Sequence, residues 1–223
     1  MKFENLLPHD LANRMAGLAD LDGWLHPEWA AEMAELILKT RPTVVVEIGV
    51  FGGRSLLAQA MALDFNGHGK VYGIDPWKTA AAVEGWTPEH ESHRDWWARV
   101  DLEKIHASCM AAIWRENLDT RAIVIRARSE DCFELFHRRP IDILFIDGNH
   151  SEEAAMRDVR NYLPSVRYGG YIWFDDCSST TLPALSWIGE ACDLVLDRHK
   201  YRLYQKRWPA AGSMPVDLVR EDR

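Results

Sequence analysis

Several features that would place this chain in a particular class are missing from its 223 residues. No apolar run approaches the ~20 residues that a membrane-spanning helix needs, and the first residues lack a run long enough for a signal peptide. The four cysteines are widely spaced and none forms a CxxC pair, which favours reduced thiols. We therefore expect a cytoplasmic protein.

Positive charge is also scarce. The chain has 26 Lys and Arg residues against 34 Asp and Glu residues, for a formal net charge of −8. Surfaces that bind nucleic acid or anionic membranes need clustered Lys and Arg, so neither partner is expected. The apolar share of 47% is typical of a globular protein with one sizeable core. These proportions favour a small-molecule partner.

What the chain does contain is a regular alternation of two segment types. Short apolar segments predict strands, namely TVVVEIGV, KVYGIDPW, RAIVIRA, IDILFIDG and GGYIWFDDC, and the segments between them, including SEDCFELFHRR, predict helices. The C-terminal CDLVLDRHKYRLYQKRW predicts two strands joined by a polar turn. This order predicts an α/β fold with a Rossmann-like, doubly wound, mostly parallel seven-stranded sheet that ends in an antiparallel hairpin.

The domain boundaries follow from the same pattern. Residues 26–210 form the predicted α/β domain, and residues 1–25 form a helical arm or lid that can also serve in a homodimer contact. Residues 77–100 interrupt the alternation and are rich in tryptophan, which suits an acceptor lid or the packing of the insert onto the domain. Within it, His90 and His93 are either metal ligands or part of a solvated helix face. Residues 211–223 form a tail.

The stretch EIGVFGGRS follows the first predicted strand. Its glycines, Gly49, Gly52 and Gly53, do not have the GxGxxG spacing of a dinucleotide site. Glu47, two residues before the first glycine, would repel a pyrophosphate and favour a cationic ligand. A sulfonium compound with a free ammonium group, S-adenosylmethionine, fits this preference, and the glycines allow its methionyl part to approach the backbone.

Other strands also end in polar residues. Asp75 ends the second strand, where an acid can accept both hydroxyls of a ribose. Ser129 and Glu130 follow the third strand, where they can contact the adenine. An alternative for Ser129 is that it caps the following helix, with the acid favouring its first turn.

A second acidic cluster follows the fourth and fifth strands. Asp147, Asp175 and Asp176 would meet at one edge of the sheet and repel one another unless a cation neutralises them. Oxygen ligands suggest Mg²⁺, although the Asp175–Asp176 pair can instead cap the next helix. His150, three residues after Asp147, is the candidate general base, with a carboxylate-orienting or capping role as its alternative.

Taken together, these motifs resemble the class I S-adenosylmethionine-dependent methyltransferases. Residues 23–207 are similar to the small metal-dependent O-methyltransferases of the antibiotic-sugar and catechol type. The resemblance implies that Glu47, Gly49 and Ser55 hold the methionine part of the donor and that the acids after the fourth and fifth strands hold a divalent ion. The catechol-type enzymes have lysine where this chain has His150, so the base is a departure from their pattern.

The predicted function is methyl transfer from S-adenosylmethionine to a hydroxyl of a small molecule, assisted by Mg²⁺. Asp147 and His150 are the predicted catalytic residues. Gly53 joins Glu47, Gly49 and Ser55 in the predicted donor site. The alternatives are a metal-independent methyltransferase and a non-catalytic partner subunit that binds S-adenosylmethionine.

Overall fold

The computed structural model describes residues 3, 7–86 and 91–209. The predicted tail, 211–223, and His90 lie outside the described residues. The four cysteines are all described and all are free thiols.

One mixed sheet forms the centre of the molecule. Its strands are β1 (Val44–Ile48), β2 (Lys70–Ile74), β3 (Ala122–Ile125), β4 (Ile141–Ile146), β5 (Val166–Phe174), β6 (Cys192–Asp197) and β7 (Arg202–Lys206). Their order across the sheet is β3-β2-β1-β4-β5-β7-β6. β7 pairs antiparallel with both β5 and β6, and the other pairs are parallel. The predicted doubly wound sheet with its antiparallel hairpin is confirmed.

Helices cover both faces of this sheet. They are α1 (His9–Ala16), α2 (Pro27–Thr40), α3 (Arg54–Asn66), α4 (Thr79–Ala82), α5 (Glu91–Arg99), α6 (Leu102–Arg115), α7 (Glu152–Tyr162) and α8 (Leu182–Ala191). α1, in the N-terminal arm, packs on α3. No helix within the described ranges has the length and apolarity to cross a lipid bilayer.

One predicted helix is wrong. The segment SEDCFELFHRR forms two short 3₁₀ helices, Ser129–Asp131 and Phe133–Phe136, instead of one α-helix. Cys132 separates them with a φ of −119°, far from the α-helical value. The hydroxyl of Tyr162 on α7 donates a 2.8 Å hydrogen bond to the carbonyl of Ser129, so a tertiary contact holds the first 3₁₀ turn in place.

The central strands β1 and β4 are mostly apolar because both of their faces are buried. Val45, Ile143 and Phe145 belong to a core cluster with α1, α2, α3 and α6, whereas Val46 and Leu144 belong to a second cluster with α7 and α8. Successive strand residues point to opposite faces, so neighbouring residues enter different clusters. Apart from Glu47, which lies within β1, the candidate polar residues therefore follow the ends of the strands.

Strand order reverses at β1, which pairs with β2 on one side and with β4 on the other. The ladder continues just past the strand ends, where the amide of Gly49 donates to Ile74 and the amide of Asp147 donates to Ile48. The residues that follow β1, β2 and β4 consequently lie side by side. In an open α/β sheet this is where ligands bind.

Candidate active site

A cavity opens at the carboxyl ends of these strands. Its volume is about 730 Å³, within the usual range for small-molecule sites. The turn after β1, the end of β2, the first 3₁₀ helix after β3 and the loops after β4 and β5 all contribute to its wall. The cavity thus collects nearly every candidate residue that the sequence predicted.

Two positions in the turn after β1 require glycine. Gly49 has a φ of +86°, and a Cβ atom there would lie 2.1 Å from the carbonyl oxygen of Asp147. Gly53 also has a φ of +86°, and its Cβ would lie 2.5 Å from Sγ of Cys109. The glycines therefore allow the turn to pack directly against the loop after β4 and against α6. This packing brings the turn and the loop after β4, which begins with Asp147, to the same cavity.

Glu47 lies beneath this turn and has no exposed surface. One of its carboxylate oxygens accepts a short hydrogen bond from the hydroxyl of Ser55, and the other accepts a 2.7 Å bond from Nε2 of Gln59. Ser55 lines the cavity, whereas Glu47 is not part of its wall. Any effect of Glu47 on a ligand in the cavity would therefore pass through Ser55. Gln59 was missed in the sequence, although its position one helical turn after Ser55 places both on one face of α3.

Burial raises the pKa of Glu47 to about 8. The neighbouring charges of Asp147 and Asp75 contribute to this rise, and the hydrogen bonds from Ser55 and Gln59 oppose it. Ionising a buried carboxylate that has neither water nor a cation beside it is unfavourable in free energy. A cation in the cavity would favour the ionised form.

Asp75 holds the glycine turn in place. Its Oδ2 accepts 3.0 Å hydrogen bonds from the amides of Val50 and Phe51, and its Oδ1 accepts a 2.7 Å bond from the amide of Trp77. The sequence predicted that both oxygens would be available to a ribose. Since Oδ2 already accepts two bonds, Oδ1 is the oxygen with capacity left for a ligand hydroxyl. Most of the hydrogen-bonding capacity of this carboxylate therefore serves to hold the turn after β1 and the residues after β2 in place.

The residues after β3 form a charged network in the cavity wall. Ser129 donates to the carboxylate of Asp158, and Glu130 pairs with Arg128 at 2.5 Å and with Arg157 at 3.6 Å. Ser129 is the first residue of its 3₁₀ helix and Arg128 is the capping position, so the expected cap at Ser129 does not form. Arg128 and Arg157 were missed because neither belongs to a strand-end acid motif.

The loops after β4 and β5 bring the second acidic cluster together. Nε2 of His150 lies 3.4 Å from Oδ1 of Asp147 and 3.8 Å from Oδ2 of Asp176. Nζ of Lys200, in the turn between β6 and β7, lies 3.2 Å from Oδ1 of Asp176. Asp175 lines the same cavity. Lys200 was missed in the sequence because only the hairpin geometry brings it here.

The pKa values in this cluster follow from crowding. Burial raises the pKa of Asp175, and the charge of Asp147 raises it further. For His150, burial alone would lower the pKa, but the hydrogen bond and charge of Asp147, together with Asp176, outweigh it and raise the pKa. The imidazolium form is thus stabilised where two carboxylates meet.

The predicted metal ligands are close together but do not form a ready site. Over the described parts of the chain, no three His, Cys, Asp or Glu side chains are placed so that they could hold one metal ion. His150 contacts both Asp147 and Asp176 and occupies the space between them. The donor chemistry of three carboxylates without a thiol still fits a hard divalent cation. Such an ion would have to displace the imidazole.

Aromatic side chains line the cavity near the glycine turn. Trp24 stacks on Phe51 with ring centres 5.0 Å apart, and Trp96 lies 5.2 Å from Trp24. Trp24 is 66% exposed and Trp96 is 41% exposed. Trp77 is buried, and its indole donates a 2.9 Å hydrogen bond to the carbonyl of Phe51. Tryptophans of the insert therefore line the cavity, and one of them, Trp77, also packs into the core.

The comparison with known families agrees with this geometry. Residues 46–177 match the family described as a methyltransferase domain, which is more than half of the chain. The chain belongs to this methyltransferase family. The matched residues begin in β1 and end after the Asp175–Asp176 pair, so they contain most of the candidate site.

Solved structures of methyltransferases share the fold of this chain. The S-adenosylhomocysteine-bound methyltransferase PaMTH1 of Podospora anserina is 13% identical and superposes with a TM-score of 0.63, over 90% of this chain and 89% of its own. The O-methyltransferase of Bacillus cereus, in complex with S-adenosylhomocysteine, is 16% identical with a TM-score of 0.57, over 90% and 93%. The S-adenosylmethionine complex of TomG, an O-methyltransferase of Streptomyces achromogenes involved in tomaymycin synthesis, is 14% identical with a TM-score of 0.58, over 91% and 92%.

A curated relative is similar in sequence over a shorter stretch. The uncharacterized protein R132 of Acanthamoeba polyphaga mimivirus is 32% identical over 133 residues, or 59% of this methyltransferase. The matched stretch spans half of the length of that relative.

The burial of Glu47 leads to a prediction about stability. Because its pKa of about 8 in the folded protein lies above the ordinary value of 4.5, the folded state holds a proton that the unfolded chain releases. The free energy of unfolding should therefore fall as the pH rises between these values, by up to about 1.4 kcal/mol per pH unit. In Glu47→Gln, which has no titrating group there, chemical denaturation at several pH values should give a flatter dependence. Parallel curves for the two proteins would contradict this account of Glu47.

Proposed function

We propose that this protein transfers a methyl group from S-adenosylmethionine to a hydroxyl of a small molecule. The observation that carries the proposal is that two groups form part of the wall of one cavity. One is the hydroxyl of Ser55, which is hydrogen-bonded to the buried Glu47. The other is the imidazole of His150, which lies between Asp147 and Asp176. The first group suits a donor and the second suits the removal of a proton from an acceptor. Membership of the methyltransferase family supports the same assignment.

The donor side of the cavity is built from the residues after the first three strands. Ser55 and the backbone around Gly49 would hold the methionine part, and Oδ1 of Asp75 would accept a ribose hydroxyl. Ser129 and Glu130 would contact the adenine. When bound, S-adenosylmethionine supplies a methyl group on a positively charged sulfur, which is already activated for transfer. The residues that hold it mainly have to fix its orientation.

The acceptor side is built around His150. Its imidazole would take the proton from the acceptor hydroxyl, and Asp147 and Asp176 would stabilise the imidazolium that forms. Asp147 would also hold the ring in the orientation in which it meets the acceptor. The proton therefore remains in a site where two carboxylates compensate its charge.

We further propose Mg²⁺ as an assisting ion, with Asp147, Asp175 and Asp176 as its oxygen ligands once the imidazole of His150 has moved from between Asp147 and Asp176. The support is the donor chemistry of three crowded carboxylates, two of which have raised pKa values because of burial and of each other. A bound Mg²⁺ would lower the pKa of an acceptor hydroxyl. Metal-independent transfer with His150 as the base is the second candidate, favoured by the contacts of the imidazole with Asp147 and Asp176.

The acceptor is proposed to be a small molecule, with neither nucleic acid nor a membrane as partner. The exposed faces of Trp24 and Trp96 suit a ring that packs against the cavity wall. A sugar, a phenol and a hydroxy acid all remain candidates. A homodimer contact through residues 1–25 stays a prediction.

A test of the donor site is the titration of S-adenosylmethionine by calorimetry. The parent should bind the donor and not a nicotinamide nucleotide. Ser55→Ala should weaken donor binding by about tenfold to a hundredfold, because it removes a hydrogen bond to a charged group of the donor. Ser108→Ala, at an exposed position on α6, should bind like the parent. Equal affinities for Ser55→Ala and the parent would contradict the assignment of Ser55.

A test of the base is the variant His150→Ala. Its turnover should fall by about 10²-fold or more, the range expected for a lost general base, while the affinity for S-adenosylmethionine stays within about twofold of the parent value. His199→Ala, at an exposed histidine of the β6–β7 hairpin, is the matched control and should keep full turnover. Full turnover in His150→Ala would remove this residue from the mechanism. A parent that binds the donor but methylates none of a broad acceptor panel would favour the non-catalytic alternative.

A test of the ion compares Asp176→Asn with the parent. The substitution keeps the size of the side chain and removes one negative ligand, so the affinity for Mg²⁺ should fall about tenfold or more while donor binding persists. Asp119→Asn, which changes an exposed carboxylate away from the cavity, is the control for charge. Turnover that survives exhaustive chelation would favour the metal-independent candidate.

A further inference from the structure

One wall of the cavity is a segment in which no residue is fully buried. Residues 79–86 contain the single-turn helix α4 and then a turn, and none of them is buried. Four of the eight line the cavity, namely Ala81, Ala82, Glu84 and Trp86. Trp86 packs on His93 with ring centres 4.5 Å apart. Since burial of apolar surface is limited in the rest of the segment, polar contacts contribute to keeping this wall in place.

That interaction is made by the side chain of Asn149. Its Nδ2 lies 2.8 Å from the carbonyl oxygen of Ala81, 3.3 Å from that of Ala82 and 2.8 Å from that of Glu84. Its Oδ1 accepts a 2.9 Å hydrogen bond from the amide of Ser151. The last bond is the usual one of an asparagine in a turn. The first three are not, since they cross from the loop after β4 to the segment 79–86.

Two further contacts join the same segment to the same side of the cavity. Gly85 has a φ of +72°, and a Cβ atom there would lie 2.5 Å from Oγ of Ser151. The carboxylate of Glu84 pairs with Arg128 and, at 3.2 Å, with Arg157. Burial opposes ionisation of Glu84, but the hydrogen bonds from the two arginines outweigh it and lower its pKa. Arg128 and Arg157 also pair with Glu130 at the proposed adenine position.

We infer that Asn149 is a positioning residue that fastens the segment 79–86 to the loop after β4. It thereby keeps this wall of the cavity in contact with the bound donor and acceptor. Asn149 lies between Asp147 and His150 in the chain, so the same short loop carries the proposed base and this fastening. An amide is needed, because its two N–H groups donate to the carbonyls of Ala81 and Glu84 while its oxygen accepts from Ser151, and the longer contact with Ala82 shares one of these N–H groups. The effect on catalysis rests on the proposed function, whereas the effect on the segment does not.

The variant Asn149→Asp tests this inference with little change in shape. It replaces the donor nitrogen with an oxygen that faces three carbonyl oxygens, so the segment should be released. Hydrogen exchange of peptides from 79–86, measured without ligand, should become about tenfold faster or more, as loss of one to two hydrogen bonds implies. Asn13→Asp makes the same charge change at an exposed position on α1 and should exchange like the parent.

Donor affinity and steady-state kinetics provide the second readout. In Asn149→Asp, the Kd for S-adenosylmethionine and the KM for the acceptor should rise several-fold, while kcat changes less. Gly85→Ala, which disturbs the segment from its own side through the contact with Ser151, should change exchange and KM in the same direction. Circular dichroism melting of both variants tells a released segment from an unfolded protein.

Two results would overturn the inference. Exchange in 79–86 that is unchanged in folded Asn149→Asp would show that the amide does not hold the segment. Faster exchange with unchanged donor Kd and acceptor KM would show that the segment has no positioning role. If the parent neither binds S-adenosylmethionine nor methylates an acceptor, the proposed function fails, and the exchange measurement still decides whether Asn149 fastens the segment.

Discussion

The close packing of the turn after β1 against the loop after β4 is the contact on which the site depends. The α-carbon of Gly49 faces the carbonyl of Asp147 so closely that a Cβ atom would lie 2.1 Å from that oxygen. Parallel strands bring their ends to one edge, but a side chain at this position would hold the two loops apart. Because glycine lets them touch, the hydroxyl of Ser55 and the imidazole of His150 share one cavity.

Several acidic side chains line the cavity, and basic side chains of the same chain form ion pairs with some of them. His150 and Lys200 contact the carboxylates after β4 and β5, and Arg128 and Arg157 contact the carboxylate of the segment 79–86. These contacts join residues far apart in sequence, except the contact between His150 and Asp147, which are three residues apart. Charged and polar groups also contact the segment 79–86, in which no residue is fully buried.

The sequence by itself determined the class of fold, the strands and the positions of the candidate residues. An apolar run that ends in an acid and glycines is a local signal, since buried strands and positive φ values constrain residue type directly. Glu47, Gly49 and Asp75 could for this reason be located without coordinates. The 3₁₀ helices after β3 could not, because a hydrogen bond from Tyr162 to the carbonyl of Ser129, across the fold, helps to hold their first turn.

Only the tertiary structure decided which of these residues meet. The contacts of Gln59 with Glu47, of Lys200 with Asp176 and of Asn149 with the segment 79–86 join distant parts of the chain, and no local pattern encodes them. It also placed His150 between two carboxylates that the sequence had assigned to an ion. The physical reason is that a local motif determines the backbone position of a residue at the end of a strand. Which side chain it contacts depends on how the helices and loops pack over the whole sheet.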